Sequence, residues 1–139
     1  MGSMSRNKGA AFERQIAKEL FLLTGIAFKR NLDQYQSTGL DDLRADDPAW
    51  PFAMELKRVA EGVTCRTGWK AQAQIAAVAS GKMPAVVFRF DRQETRVAVP
   101  WVALAKAYGP PVGPDEWVEM TLEGLAFLAR EIMADGRNV

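Results

Sequence analysis

The sequence predicts an α/β protein, a mixed β-sheet flanked by helices. Three observations carry this reading. Phe12, Ile16, Leu20 and Leu23 recur at helical spacing inside a charged segment. Phe52, Met54 and Leu56 alternate with Ala53, Glu55 and Lys57, the period-two pattern of a strand. Two apolar runs, 85–90 and 95–99, flank a short polar turn and follow an Ala- and Gln-rich stretch. Strands interleaved with helices point to a sheet with helices packed on it.

Taken in order, a helix is expected from Asn7 to about Leu23, stopped by Gly25. Ile26 to Arg30 reads as a first strand, and Asn31 to Thr38 as a polar turn ending at Gly39. Leu40 to Ala45 reads as a short strand carrying Asp41 and Asp42, and Asp46-Asp47-Pro48 as a turn. Pro51 to Arg58 is the alternating strand. Gly62 to Thr67 is a loop, and Gly68 to Ser80 a helix closed by Gly81. Ala85–Phe90 and Thr95–Val99 form a hairpin around Asp91–Glu94. Val102–Tyr108 is a short helix. Residues 109–114, rich in Pro and Gly, read as a linker. Thr121 caps a last helix from Leu122 to about Ala134, ended by Gly136. The core is thus α-β-β-β-α-β-β with a helical C-terminal tail.

The 139 residues suit one domain, read as 4–139, with 109–139 a linker and C-terminal helix extension. Met1-Gly2-Ser3 reads as an expression scar ahead of Met4. No apolar run approaches the roughly 20 residues of a membrane helix, and no secretory leader is visible. Cys65 is the only cysteine, so no internal disulfide can form and a reducing cytoplasm is the expected setting. There is no histidine. That excludes Ser-His-Asp and Cys-His catalysis and most zinc sites. Cys65 therefore reads as a small, partly buried side chain. Chemistry is left to carboxylates, lysine and a hard metal ion. Net charge is +1, but residues 1–100 carry 15 basic and 11 acidic side chains, whereas 101–139 carry 3 and 6. The first part can present a basic face to phosphates.

The segments Gly39-Leu40-Asp41-Asp42-Leu43 and Phe52-Ala53-Met54-Glu55-Leu56-Lys57 carry the chemistry. Alternation puts Glu55 and Lys57 on one face, about 7 Å apart at roughly 3.3 Å per residue. An Asp on one strand and a Glu-x-Lys on the next can converge at one end of a sheet. Two carboxylates make a hard-oxygen site suited to magnesium or manganese. A lysine beside them can position water or steady charge on a phosphate. Glu55 and Lys57 sit in an otherwise apolar strand, where charge is costly without a purpose.

At this point the chain resembles the PD-(D/E)XK nuclease superfamily, and within it the small Holliday-junction resolvases of archaea and phages. Five features carry the resemblance, over roughly residues 5 to 102. Asn7-Lys8-Gly9-Ala10-Ala11-Phe12-Glu13 looks like the family's opening helix, and Asp42-Leu43 like its metal-binding Asp. Glu55-Leu56-Lys57-Arg58 looks like its Glu-x-Lys, and Trp69-Lys70-Ala71-Gln72 like its Trp-x-x-Gln. Residues 85–92 and 95–100 look like its closing hairpin. The resemblance implies a restriction-endonuclease-like fold and magnesium-dependent cleavage of DNA, with manganese able to substitute.

Carried over, Asp42 and Glu55 would bind metal, Glu13 would add a carboxylate, Lys57 would be the catalytic lysine, and Gln72 would reach the site from the second helix. Asp41 competes with Asp42, which is favoured because Leu43 follows it. Gln74 competes with Gln72, which is favoured for its distance from Trp69. Trp69 reads as a core anchor rather than a base-stacking group. Arg6, Lys8, Arg14, Lys29, Arg30, Arg58, Arg66 and Lys70 are candidate phosphate contacts. A four-way junction needs two matched cuts, which implies a two-fold homodimer. The tail and the exposed apolar parts of the first helix are candidate dimer surfaces. The alternatives are another repair or restriction nuclease of the superfamily, and a non-catalytic DNA-binding protein on the same fold.

Overall fold

Apolar residues on both faces of one sheet dictate the architecture. The computed structural model describes residues 2–31, 41–108 and 115–137, with side chains for 8–31, 41–108 and 115–136. Its elements are α1 (Gly2–Thr24), β1 (Phe28–Arg30), β2 (Leu43–Ala45), β3 (Phe52–Val59), α2 (Thr67–Ser80), β4 (Met83–Phe90), β5 (Arg96–Pro100), α3 (Trp101–Tyr108), β6 (Trp117–Thr121) and α4 (Leu122–Arg137). The strands form one six-stranded sheet in the order β1-β2-β3-β4-β5-β6. Only β3 and β4 run parallel; they are the pair joined through α2. The mixed α/β sheet expected from the sequence is the fold observed.

The alternation along β3 divides its side chains between two layers. Phe52, Met54 and Leu56 join Leu43, Ala85, Val87, Val97 and Val99 in the larger core, beneath Phe12, Ile16 and Leu20 of α1 and Leu125, Leu128 and Ala129 of α4. On the opposite face, Ala53 packs with Ala76 and Ala77 of α2. Val86, Phe88, Phe90 and Ala98 pack with Trp69, Ala73 and Cys65. Trp69 is 8% exposed, its ring 6.0 Å from those of Phe88 and Phe90, so it is a core anchor. Glu55 and Lys57 share the α2 side of the strand with Ala53.

The punctuating glycines do what their positions require. Gly25 (φ 75°) and Gly81 (φ 70°) both take the left-handed conformation that ends a helix. The Gly81 N–H returns to the Ala77 carbonyl.

Three differences from the sequence reading matter. First, α1 starts at Gly2, so the helix runs back through residues read as a scar; once nucleated, a helix gains one bond per added residue. Second, β2 begins at Leu43, leaving Asp42 at the bend before it. Third, the C-terminal part is no mere tail. Trp117–Thr121 adds the edge strand β6, paired along its length with β5. The Thr121 hydroxyl does cap α4, accepting the Gly124 N–H at 3.0 Å. The helix passes through Gly136, because burial of Ile132 and Met133 one turn earlier outweighs one glycine's weak propensity. The turn expected at 31–38 and the linker at 109–114 fall almost wholly outside the described residues. Among the described residues no helix is long and apolar enough to cross a membrane.

Candidate active site

Backbone pairing brings the two acidic segments together. β2 lies antiparallel to β3, with Leu43 opposite Met54. The pairing extends one residue back, where the Asp42 N–H donates to the Met54 carbonyl at 2.8 Å. The Asp42 side chain then turns along β3, and its Oδ2 accepts the Leu56 N–H at 2.7 Å. Leu56 separates Glu55 from Lys57. Lys57 Nζ stands 3.9 Å from Glu55 Oε1. Asp42 is 8% and Glu55 9% exposed, so both are largely covered yet neither is sealed. Asp42, Glu55 and Lys57 therefore converge.

The electrostatics of the pair are unfavourable without a cation. Burial raises the Asp42 pKa, and the charge of Glu13 adds to the rise; the Leu56 N–H, a hydrogen bond with Glu55 and the Lys57 charge oppose it. Glu55 is pushed up to about 8, by burial first, then by the Asp42 charge and their shared hydrogen bond. Burial and the Asp42 charge thus favour a proton held on the pair at neutral pH. This is the protonation expected of two carboxylates confined together with one lysine. A divalent cation placed between them would displace that proton. Among the described residues no three acidic or thiol side chains stand close enough to share a metal. Two protein carboxylates still suit magnesium, which keeps several waters and takes substrate oxygens for the rest.

The adjacent aspartates have different partners. Asp41 Oδ1 accepts from Asn31 Nδ2 at 3.0 Å, while Asp42 turns to Leu56. Glu13, 9% exposed on α1, accepts Arg30 Nε at 2.7 Å. It influences Asp42 through its charge but does not join a three-carboxylate cluster. Gln72 and Gln74 both lie on exposed positions of α2.

The basic residues divide into groups. Lys8 and Arg58 converge on Asp91 at the β4–β5 turn. Arg30 is tied to Glu13, and Lys29 lies 3.8 Å from Asp46. Arg66 stacks on Trp69 with its guanidinium carbon 4.8 Å from the ring centroid. Lys70 lies over Trp117, and so points toward edge strand β6 rather than toward β3. Arg14 is exposed, and the side chain of Arg6 falls outside the described ones. Cys65 is buried, and its thiol is pushed up to about 11, chiefly by desolvation. That suits packing and not nucleophilic attack.

Three contributors escaped the sequence reading. Asn31 separates the roles of Asp41 and Asp42. Asp91 gathers Lys8 and Arg58. Glu119, on the unexpected β6, binds Thr64, Cys65 and Arg96. An acidic residue in a tight hairpin turn was a weak signal for Asp91. The other two pairings depend on tertiary folding.

The chain is similar to known proteins in sequence and in fold. The family described as "Phage putative PDDEXK endonuclease" matches residues 4–110. The fold is similar to that of Archaeoglobus fulgidus Hjc, a Holliday junction resolvase from an archaeal hyperthermophile. That similarity has a TM-score of 0.55 at 20% identity, covering 88% of this chain and 98% of the other. No curated protein matches the sequence. The match to the family spans most of the chain, including every residue of the converging site, and the chain belongs to the phage PDDEXK endonuclease family.

Proposed function

We propose that the chain is a magnesium-dependent endodeoxyribonuclease that cuts branched DNA, with a four-way junction as its preferred substrate. One observation carries the catalytic part of this reading. Two buried carboxylates, Asp42 and Glu55, are brought together beside Lys57, where burial raises the pKa of both and a cation would offset their charge. The likeness of the fold to a junction resolvase supports the substrate. Manganese should substitute for magnesium, since both take hard oxygen ligands.

Asp42 and Glu55 would hold the cation, with Glu13 close enough to add its charge. A cation bound there would withdraw charge from a phosphate oxygen and make an attacking water more acidic. The Leu56 N–H fixes the Asp42 carboxylate, so one oxygen is oriented before substrate arrives. Lys57 brings an ammonium group to the same place and steadies charge as it builds on the phosphate. Gln72 is proposed to meet the phosphate from α2. Lys8, Arg14, Arg30, Arg58, Arg66 and Lys70, with Arg6, are proposed to contact the DNA backbone. Two matched cuts in a junction call for a homodimer. The proposed setting is the cytoplasm, that of the bacterial host if the chain is phage-encoded.

The test is cleavage of labelled four-way junction, flap and linear duplex, with magnesium and with chelator. Magnesium-dependent cutting of the junction in preference to duplex supports the whole proposal. Equal cutting of all three keeps the nuclease and removes the junction preference. No cutting of any substrate removes both.

A further inference from the structure

The loop from β3 to α2, residues 60–66, is held by side chains from three other places in the fold. Glu119 of β6 holds its later half. One carboxylate oxygen, Oε2, accepts from the Thr64 hydroxyl and from the Cys65 N–H, the latter at 3.2 Å. The other, Oε1, accepts Arg96 Nη1 at 2.9 Å. Arg96 then donates through Nη2 to the Val63 carbonyl at 2.9 Å and to Gln93 Oε1 at 3.0 Å. Gln93 Nε2 donates to the Gly62 carbonyl at 3.2 Å. Gly62 lies flat against the Phe90 ring, with no room for a side chain. Connecting segments are usually the mobile part of a fold. Here each residue from 62 to 65 has a partner outside the loop.

The loop ends at Arg66. This residue is exposed, yet its guanidinium is oriented twice over. It stacks on Trp69, and its Nη2 donates to the Glu61 carbonyl at 2.8 Å. An arginine contributes most to phosphate binding when its planar fork is held before the ligand arrives, because less freedom is then lost. The loop leaves directly from the strand that carries Glu55 and Lys57. Glu119, in contrast, lies beyond residues 4–110, the part matched to the family. Completing the sheet would need only β6 backbone; it would not need a carboxylate at this position.

We propose that Glu119 is a positioning residue for DNA: it clamps residues 62–65 and so presents Arg66 to a backbone phosphate beside the one that is cut. This rests on the nuclease reading above. The C-terminal strand would then support substrate binding from the far edge of the sheet.

The experiment compares the full chain with Glu119→Ala, Glu119→Gln, Arg66→Ala and the double variant Glu119→Ala/Arg66→Ala. Fluorescein-labelled four-way junction and linear duplex are the substrates. Glu119→Ala is expected to raise KM roughly five- to twenty-fold with kcat held within about two-fold. Arg66→Ala should do the same, and the double variant should be no worse than Arg66→Ala, since both act through one contact. Cys65 supplies a second readout. Its buried thiol should react with Ellman's reagent roughly ten-fold faster in Glu119→Ala, as the loop opens, and at the original rate in Arg66→Ala. If Glu119→Ala melts below the assay temperature, Glu119→Gln carries the same comparisons with a smaller change. An unchanged KM in the Glu119 variants, or KM effects that multiply in the double variant, overturns the positioning role alone. A wild-type chain that neither binds nor cuts either DNA overturns the nuclease reading and this role with it.

Discussion

Asp42 and Leu56 are joined by a hydrogen bond of 2.7 Å from the Leu56 N–H to the Asp42 carboxylate, and this bond ties the two halves of the site together. The register of β2 and β3 brings the segments close; this contact sets the angle of the carboxylate. Substitutions at Asp42 should therefore separate structure from chemistry. Asp42→Asn keeps an acceptor for Leu56 and loses the charge, so the fold should hold while cleavage falls by at least about a hundred-fold. Asp42→Ala leaves a buried N–H unpaired and should also cost roughly 1–3 kcal/mol of stability. Urea titrations beside single-turnover cleavage assays make the comparison. Equal stability of the two variants would show that the Leu56 contact contributes little.

Lys57 lies 3.9 Å from Glu55 and is a quarter exposed, so it can reach a bound substrate while still facing the carboxylates. Lys57→Ala is expected to reduce the cleavage rate about 10²–10⁴-fold, the range for losing a group that acts mainly in the transition state. Binding of the junction, followed by fluorescence anisotropy in calcium, should weaken by no more than a few-fold. Cleavage that survives Lys57→Ala would remove the lysine from the chemistry, whereas a wild-type chain that binds the junction and does not cut it would favour a binding protein on a nuclease fold.

The raised pKa of Glu55 predicts how pH acts on the metal-free protein. Glu55 is raised from 4.5 to about 8, so the folded chain keeps a proton that the unfolded chain has already lost. A raised pKa stabilises the fold fully below the unfolded value, and that contribution disappears as pH climbs through about 8. The raised pKa of Asp42 acts in the same direction. With chelator present, Tm should drop by roughly 3–8 °C from pH 6 to pH 9, and Glu55→Gln should flatten the profile. Magnesium should restore more stability at pH 9 than at pH 6, since it no longer competes with the proton. Calorimetry in buffers of differing ionisation enthalpy should find about one proton released per site at pH 7. A Tm that rises with pH in chelator would contradict the paired-carboxylate account.

How much of this could be read from the sequence varies by kind of signal. Period-two alternation in Phe52–Lys57 revealed both the strand and the common face of Glu55 and Lys57, because burial acts on single residues and leaves a local trace. Gly25 and Gly81 marked helix ends because the left-handed conformation there favours glycine, which is likewise a property of a single residue. Strand β6 left no such trace. Trp117, Val118 and Met120 are all only half-buried, and the five-residue strand runs straight into the cap of α4. Its existence depends on the open edge of β5, which is a property of the assembled sheet. The split between Asp41 and Asp42 depends likewise on Asn31, across a segment outside the described residues. Glu13 was legible only as a carboxylate bordering the apolar stripe beside Phe12; its link to Arg30 joins a helix to a strand, and no spacing rule gives that link or its burial.

That link carries a prediction of its own. Glu13 is almost covered, and Arg30 reaches it at 2.7 Å. Removing the arginine leaves a carboxylate with too little compensation in a covered place, which is costlier than removing both groups. Arg30→Ala should lose roughly 2 kcal/mol in urea unfolding, whereas Glu13→Gln, which keeps an acceptor, should lose under about 1 kcal/mol. Glu13→Gln also tests the carboxylate's part in the chemistry. A drop in cleavage with unchanged stability would place Glu13 in the site, and an unchanged rate would leave it a structural partner of Arg30.

Gly62 offers the sharpest steric test among the described glycines. A Cβ at this position would lie 2.1 Å from Phe90 Cε1. Phe90 cannot yield easily: it is 1% exposed and packed against Phe88 and Trp69. Gly62→Ala must therefore push the loop off the sheet or displace a core ring, and overpacking of that kind typically costs about 1–3 kcal/mol. Gly68 supplies the matched control, since a Cβ there meets nothing within 4 Å and lies in the first turn of α2. Gly68→Ala should raise stability by roughly 0.4–1 kcal/mol, by narrowing the unfolded ensemble. Urea unfolding of both variants decides the matter, and a harmless Gly62→Ala would mean that the loop does not sit against Phe90 in solution.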